Sequence, residues 1–320
     1  RDQPRSRGLG DVYKRQGVDD AFIVNSTSPK KHWNGTNAFP EIIAILGKTT
    51  WQVMNAKKML RVTWDNVGEL ETSEMHEQRL IKDIETGKVD SMRKDGDPDA
   101  AFARAEKVIE RTYTSPFMPH NPMEPMNFFA DVKDNSAELI GPTQTPKAVQ
   151  EAVSSMLNIP KENISLKMTR MGGGFGRRLY THFGLEAAAI SKKVGAPVKM
   201  VYTREDDMTQ GTYRPAYRSV YKAGLDKNNN LIAFTVKGVG LPSGPVYPDR
   251  FPAGTVDNYM AESKRSYTNI STGAWTAPRS HFTAGAEQSF IDEVAEAAEK
   301  DPIDFRFCLL YTSPSPRDRG

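Results

Sequence analysis

The chain has 320 residues, with 43 Lys/Arg against 40 Asp/Glu and a formal net charge of +3. Its one cysteine, Cys308, lies near the end, so the body of the chain holds no disulfide, no thiolate metal site, no iron–sulfur ligand and no cysteine nucleophile. No apolar run approaches the roughly 20 residues that span a bilayer.

The ends read differently from the body. Residues 6–16 can be encoded by an oligonucleotide whose reverse complement, read one base in, encodes residues 308–317. One DNA word read in both senses resembles a translated sequencing adaptor. Residues 1–16 and 308–320 are therefore expected to be artefactual tails without defined packing, and the native fragment to lie close to Gly17–Phe307. Without the tails, 36 basic and 37 acidic residues remain, a net charge near −1. That removes any charge argument for nucleic acid or an acidic membrane surface. With the native N-terminus missing on this reading, the compartment stays open between bacterial cytoplasm and periplasm.

In chain order, 41–47 reads as a buried strand, and Thr49 or Thr50 caps a helix over 51–60. A strand over 61–65 completes a β-α-β unit, and 66–97 reads as a charged connection. Asp97 caps a helix with Pro98 at its first position, running to about Lys107. A strand over 108–114 leads into Pro116-Phe117-Met118-Pro119-His120-Asn121-Pro122-Met123-Glu124-Pro125-Met126, whose prolines predict an irregular buried path. Strands over 128–132 and 138–140 form a candidate pair. Thr145 and Pro146 then open a helix with Val149, Ala152, Val153, Met156 and Leu157 on one face.

A strand over 164–169 runs into Arg170-Met171-Gly172-Gly173-Gly174-Phe175-Gly176-Arg177-Arg178, with a helix over 185–191 beyond it. Four glycines in five positions free the backbone for positive φ and for close approach by a ligand. A strand–glycine loop–helix layout, followed at once by two arginines, suits an anion. A dinucleotide fingerprint fails because position 177 is Arg, and a P-loop fails because no Gly-Lys-Ser/Thr follows. From the loop alone, an anion site and a turn made for tight packing both remain open. Further on, 197–203 is a strand, 217–223 and 231–239 are paired strands, and a loop-rich stretch runs to about 272. A helix over 287–300 ends at Asp301-Pro302. The class is α+β, mixed α/β.

Several stretches in order resemble the xanthine oxidase/aldehyde oxidase family of molybdenum hydroxylases. They are His120-Asn121-Pro122-Met123-Glu124-Pro125, Thr143-Gln144, the glycine loop, Ala274-Trp275-Thr276-Ala277-Pro278-Arg279, and 290–295 with 301–306. The double arginine, Arg204-Glu205-Asp206-Asp207-Met208 and Tyr213-Arg214-Pro215 look most like the isoquinoline 1-oxidoreductase β-subunit branch. The resemblance implies a small hammerhead-like α/β domain ending within 17–97, then the first part of a molybdopterin-binding domain over 98–307.

It also implies a chemistry: hydroxylation of an N-heteroaromatic or aldehyde carbon with water-derived oxygen, at a molybdenum–molybdopterin in the cytosine dinucleotide form. Electrons would leave through 2Fe–2S clusters on a small partner subunit, with a cytochrome as one candidate acceptor. By the same resemblance Gln144, Gly173, Gly174, Phe175, Gly176, Arg177, Thr276 and Ala277 contact the cofactor, while Arg178 and Arg214 line the substrate pocket. One of Arg177 and Arg178 is expected to face an anion and the other to form an internal salt bridge. Leu179 replaces a purine-binding glutamate, which argues against purines. His120 and Glu124 are expected to be a buried structural pair that shapes the site wall. The family's general-base glutamate is expected beyond Phe307, so the fragment alone is expected to be inactive. The alternative is a cofactor-free binding or scaffold protein that keeps the fold.

Overall fold

The computed structural model describes residues 2–5, 18–26, 41–66, 69–86, 88–280 and 282–311. They form two compact units, each gathered from three stretches of chain. The first comprises Arg1–Leu70, Pro119–Arg214 and Ile270–Trp275; the second comprises Glu71–Met118, Pro215–Asn269 and Thr276–Gly320. This interleaving differs from the linear division at 97/98 expected from the sequence.

The first unit opens with β1 (Asp2–Arg5), β2 (Asp20–Asn25), β3 (Glu41–Leu46), α1 (Thr50–Met59) and β4 (Thr63–Asn66). The second takes over with α2 (Ser73–Thr86), β5 (Asp90–Asp95), α3 (Pro98–Ala103) and β6 (Lys107–Ser115). The chain returns to the first for β7 (Asn127–Val132), β8 (Ala137–Gly141), α4 (Pro146–Leu157), β9 (Ile164–Met168), α5 (His182–Val194), β10 (Val198–Val201) and α6 (Arg204–Thr209). The second ends with β11 (Ala216–Leu225), β12 (Leu231–Leu241), β13 (Tyr259–Arg265), α7 (Thr283–Ala297) and α8 (Pro302–Tyr311).

In the first unit, β10-β7-β8-β9 form one sheet, antiparallel except for the parallel β8–β9 pair. The alternation in β7 sends Phe128, Ala130 and Val132 inward, where they meet Val149 and Val153 of α4 and Phe183, Ala187 and Ala188 of α5. Helix α4 starts where the sequence indicates, with Pro146 in its first turn, and ends on Asn158 in the left-handed conformation. Thr145 occupies the cap position without a capping hydrogen bond; its hydroxyl donates instead to Leu179 O at 2.8 Å. Thr49 does cap α1, in a reciprocal box with Gln52.

The expected β-α-β unit does not form. Strands β3 and β4 pair antiparallel with β2 and β1 respectively, in two separate ribbons. Most of the N-terminal tail lies outside the described residues, but 2–5 do not match the expectation for it. An extended segment beside an open strand satisfies backbone groups whatever its origin.

The second unit is built on a five-stranded sheet, β5-β13-β12-β11-β6, covered by α7. Its aromatic centre is Tyr221, Phe234, Tyr259 and Phe290, all at most 1% exposed. The stretch read as a charged connection contains α2, which buries only His76, Leu80 and Ile84. That stripe is too narrow to stand out among its charges. The loop-rich reading of 240–272 missed β13, which pairs parallel with β12. Asp301-Pro302 ends one helix and begins another, because proline is acceptable at a first helical position. Helix α8 carries Leu309 of the expected C-terminal tail into this core. Among the described residues no helix is long and apolar enough to cross a membrane.

Candidate cofactor site

The glycine loop leaves β9 and enters α5 through a tight turn at Arg177–Leu179. Gly173, Phe175 and Gly176 have φ of +104°, +52° and +97°. Glycine adopts such values freely; phenylalanine does so at a cost of about 1–3 kcal/mol. Added side chains have no room here. A Cβ on Gly174 would stand 2.7 Å from Gln144 Oε1, and one on Gly176 would collide with the Ala274 carbonyl. Gly176→Ala is therefore expected to destabilise the first unit by at least about 1–2 kcal/mol, since the obstacle is backbone and the φ is unfavourable. Urea unfolding checks this, and an unchanged midpoint would refute it.

The loop is tied down at two places. At one end Gly172 N–H donates to Glu124 Oε2 at 2.8 Å, and Glu124 N–H donates to Gly172 O at 3.2 Å. At the other, Gly176 N–H donates to Gln144 Oε1 at 3.2 Å. Gln144 N–H in turn donates to Arg178 O at 2.9 Å. Between these ties, the amides of Gly173, Gly174 and Phe175 donate to no acceptor among the described residues. Because Gly176 N–H engages its oxygen, the Gln144 carboxamide leaves Nε2 and both its donors free on an exposed side chain. Beside this donor-rich rim the Phe175 ring is 52% exposed. The fold thus brings Gln144, Gly173, Gly174, Phe175 and Gly176 together.

The two arginines do not match their expected roles. Both are 1% exposed, and both are held internally. Arg177 pairs with the fully buried Asp207 at 3.2 Å, donates to Gln210 O, and lies 5.0 Å from the Phe183 ring centroid. Arg178 donates to Gly173 O, Glu124 O and Glu124 Oε2, each at 2.9 Å. Neither guanidinium faces an anion outside the protein: a buried charge needs a fixed partner, and each finds one in a nearby carboxylate. Arg177 as a cofactor contact and Arg178 as a pocket residue are corrected to supports beneath the loop.

Two further segments close on the loop. His120 Nε2–H donates to Ala274 O at 2.6 Å, and its ring stacks on Trp275 at 4.6 Å. Burial lowers its pKa to about 4, which keeps it neutral. Arg214 also lies over Trp275, 5.7 Å from the ring centroid. His120 and Arg214 thus both meet the ring next to Ala274. His120 is buried but Glu124 is 34% exposed, and the two anchor different segments rather than forming a buried pair: the first holds Ala274, the second holds Gly172.

The unit boundary falls between Trp275 and Thr276, so Thr276 and Ala277 belong to the second unit. Both are exposed there, and Ala277 has φ +52°. Their turn is closed by Ser280 N–H donating to Ala277 O at 2.8 Å. Arg250 fastens it from below, donating to Ser280 Oγ at 2.7 Å and pairing with Glu287 at 2.6 Å. No sequence signal assigned a role to Asp207, Arg250 or Glu287. The two consecutive arginines signal that buried anions must exist, but nothing in the sequence selects them from 40 acidic residues.

A family model described as a molybdopterin cofactor-binding domain matches residues 80–308, starting earlier than the 98 expected from the sequence. A membrane-bound aldehyde dehydrogenase (pyrroloquinoline-quinone) from Gluconacetobacter polyoxogenes is 27% identical over 294 residues, covering 84% of this chain and 38% of that protein. Isoquinoline 1-oxidoreductase subunit beta from Brevundimonas diminuta is 26% identical over 323 residues, covering 87% of this chain and 39% of that protein. Quinoline 2-oxidoreductase from Pseudomonas putida 86 has a similar fold, with a TM-score of 0.71 over 99% of this chain and 45% of that one, at 17% identity. The chain thus spans about two-fifths of the length of these curated relatives.

Proposed function

The chain belongs to the molybdopterin cofactor-binding domain family, and from that premise we propose that it is part of the large subunit of a molybdenum hydroxylase acting on an N-heteroaromatic or aldehyde carbon. The observation that carries the reading is the donor-rich rim: three open amides at Gly173, Gly174 and Phe175, with the free carboxamide nitrogen of Gln144 beside them. A site that offers N–H donors without a protein acceptor suits a ligand rich in oxygen. The rim fits molybdopterin in this respect. When bound, that group supplies a molybdenum centre that takes two electrons from the substrate while an oxygen from water is incorporated and protons are released.

This chain's own part is positioning. Gln144 donates a hydrogen bond to the cofactor, oriented by its bond from Gly176. The loop amides donate alongside it, and the Phe175 ring covers the approach. Arg214, over the Trp275 ring, keeps a proposed place at the substrate side. We assign the proton acceptor to neither Glu186 nor Glu205. Glu186 is buried against Tyr202, and Glu205 is exposed in the first turn of α6. The cytosine dinucleotide form of the cofactor, and 2Fe–2S clusters on a small partner subunit, complete the proposal.

Metal analysis and released-pterin fluorescence on the full-length protein, produced with its small subunit, test the reading. Stoichiometric molybdenum and pterin are expected. Gln144→Leu is expected to lower turnover about tenfold to a hundredfold, the loss of one hydrogen bond to a charge-bearing group. Absence of both molybdenum and pterin would favour the cofactor-free scaffold instead.

A further inference from the structure

Three positive-φ residues within four positions make the glycine loop costly to order, because glycine loses more backbone freedom on folding than any other residue. Its own backbone does little to hold it: only Arg177 N–H to Gly174 O, at 2.8 Å, and Leu179 N–H to Gly176 O, at 3.3 Å, close turns within it. The remaining restraint comes from outside, and it is concentrated at Glu124. Both oxygens of that carboxylate are engaged. Oε1 accepts from Asn127 Nδ2 at 2.9 Å, while Oε2 accepts from Gly172 N–H at 2.8 Å and from Arg178 Nη2 at 2.9 Å. Burial alone would raise its pKa, but Gly172, Asn127 and Arg178 together hold it below the usual glutamate range.

Arg178 completes the clamp. With one guanidinium it reaches Gly173 O through Nε and both the carbonyl and the carboxylate of Glu124 through Nη2. Only a planar fork spans those acceptors at once. The two ties, Glu124 with Arg178 at the start of the loop and Gln144 at its end, bracket the stretch whose amides stay open.

We propose that Glu124 and Arg178 are a positioning pair that presets the glycine loop, so that the amides of Gly173, Gly174 and Phe175 stand ordered and unsatisfied before any ligand arrives. What those amides receive rests on the proposed function; the presetting does not. The pair acts through the loop and touches no reacting atom. A preordered loop spares the cofactor the cost of ordering it on binding.

The test is residue-resolved hydrogen exchange on the full chain, read at Gly176 and Arg177, whose amides Glu124 does not touch. Glu124→Ala is expected to speed exchange there about tenfold, by releasing the far end of the loop. Amides in β7 and β8 should keep their rates. Glu124→Gln keeps an acceptor for Gly172 N–H and should restore most of the protection. Arg178→Lys should not, because an ammonium cannot reach Gly173 O and Glu124 together. Unchanged exchange in Glu124→Ala, or a rise shared equally by β7 and β8, would overturn the pair as a positioning device. Should Arg178→Lys fail to fold, the Glu124 comparison decides alone, since that side chain is 34% exposed. Molybdenum content separates this inference from the proposed function. A loosened loop in a protein that never binds molybdenum leaves the pair standing and sinks the cofactor; an unaltered loop with normal molybdenum does the reverse.

Discussion

Arg177→Met is expected to cost about 3–5 kcal/mol of unfolding free energy, the usual penalty for removing one partner of a buried ion pair. The guanidinium is 1% exposed, and the Asp207 side chain it meets at 3.2 Å is fully buried. Without Arg177, Asp207 keeps only Arg204, at 3.3 Å. Gln210 O loses its donor and the Phe183 face loses its cation. Gly211 packs directly on the guanidinium, so a shorter side chain also opens a void beneath it. Arg177→Lys should recover little, because an ammonium does not reproduce the fork. Combining Arg177→Met with Asp207→Asn should be milder than the sum of the two, since the double variant leaves no buried orphaned charge; Arg204, which loses Asp207, is 37% exposed. Denaturant unfolding of the wild type and the four variants measures this, and a loss below about 1 kcal/mol for Arg177→Met would show that the pair contributes no more than a surface bridge.

The second large effect is a pH dependence carried by Glu186. Its carboxyl is 1% exposed inside α5, and Tyr202 OH donates to Oε2 at 2.6 Å. Burial raises its pKa from 4.5 to about 7, partly offset by Tyr202 and by the charge of Arg177, while Asp206 pushes it further up. The folded state therefore keeps a proton that the unfolded chain releases. Stability from this group is full below the unfolded value and is lost as pH rises through the folded one. The gap corresponds to about 3 kcal/mol, lost between about pH 4.5 and about pH 7.

His120 and His182, held neutral by burial, act in the opposite sense. The unfolded chain takes up their protons first as pH falls, so their contribution grows with rising pH. The observable is accordingly the difference between the wild type and Glu186→Gln. Glutamine keeps an acceptor for Tyr202 but cannot titrate. That difference should change by about 3 kcal/mol in favour of the variant between about pH 5 and about pH 8. A flat difference would mean that Glu186 ionises in the folded state as it does in the unfolded one.

What the sequence determined by itself is local. Helix α4 was legible because Thr145-Pro146 marks its start and Val149, Ala152 and Val153 fall on one face. The β7–β8 and β11–β12 pairs were legible because alternation and short turns are written in neighbouring residues. The family was legible because Gln144 and the glycines, in order with the other stretches, match its pattern, and that made them the candidate site. The tertiary structure decided what depends on partners far along the chain. Helix α2 has too narrow an apolar stripe to announce itself, and β13 is a strand because β12 and β5 offer it edges. Arg177 and Arg178 look like an open anion clamp in one dimension. In three they are spent on Asp207 and Glu124, 30 and 54 residues away. The physical reason is that a buried charge is placed by its counter-charge, and sequence spacing carries no record of which carboxylate the fold brings beside it.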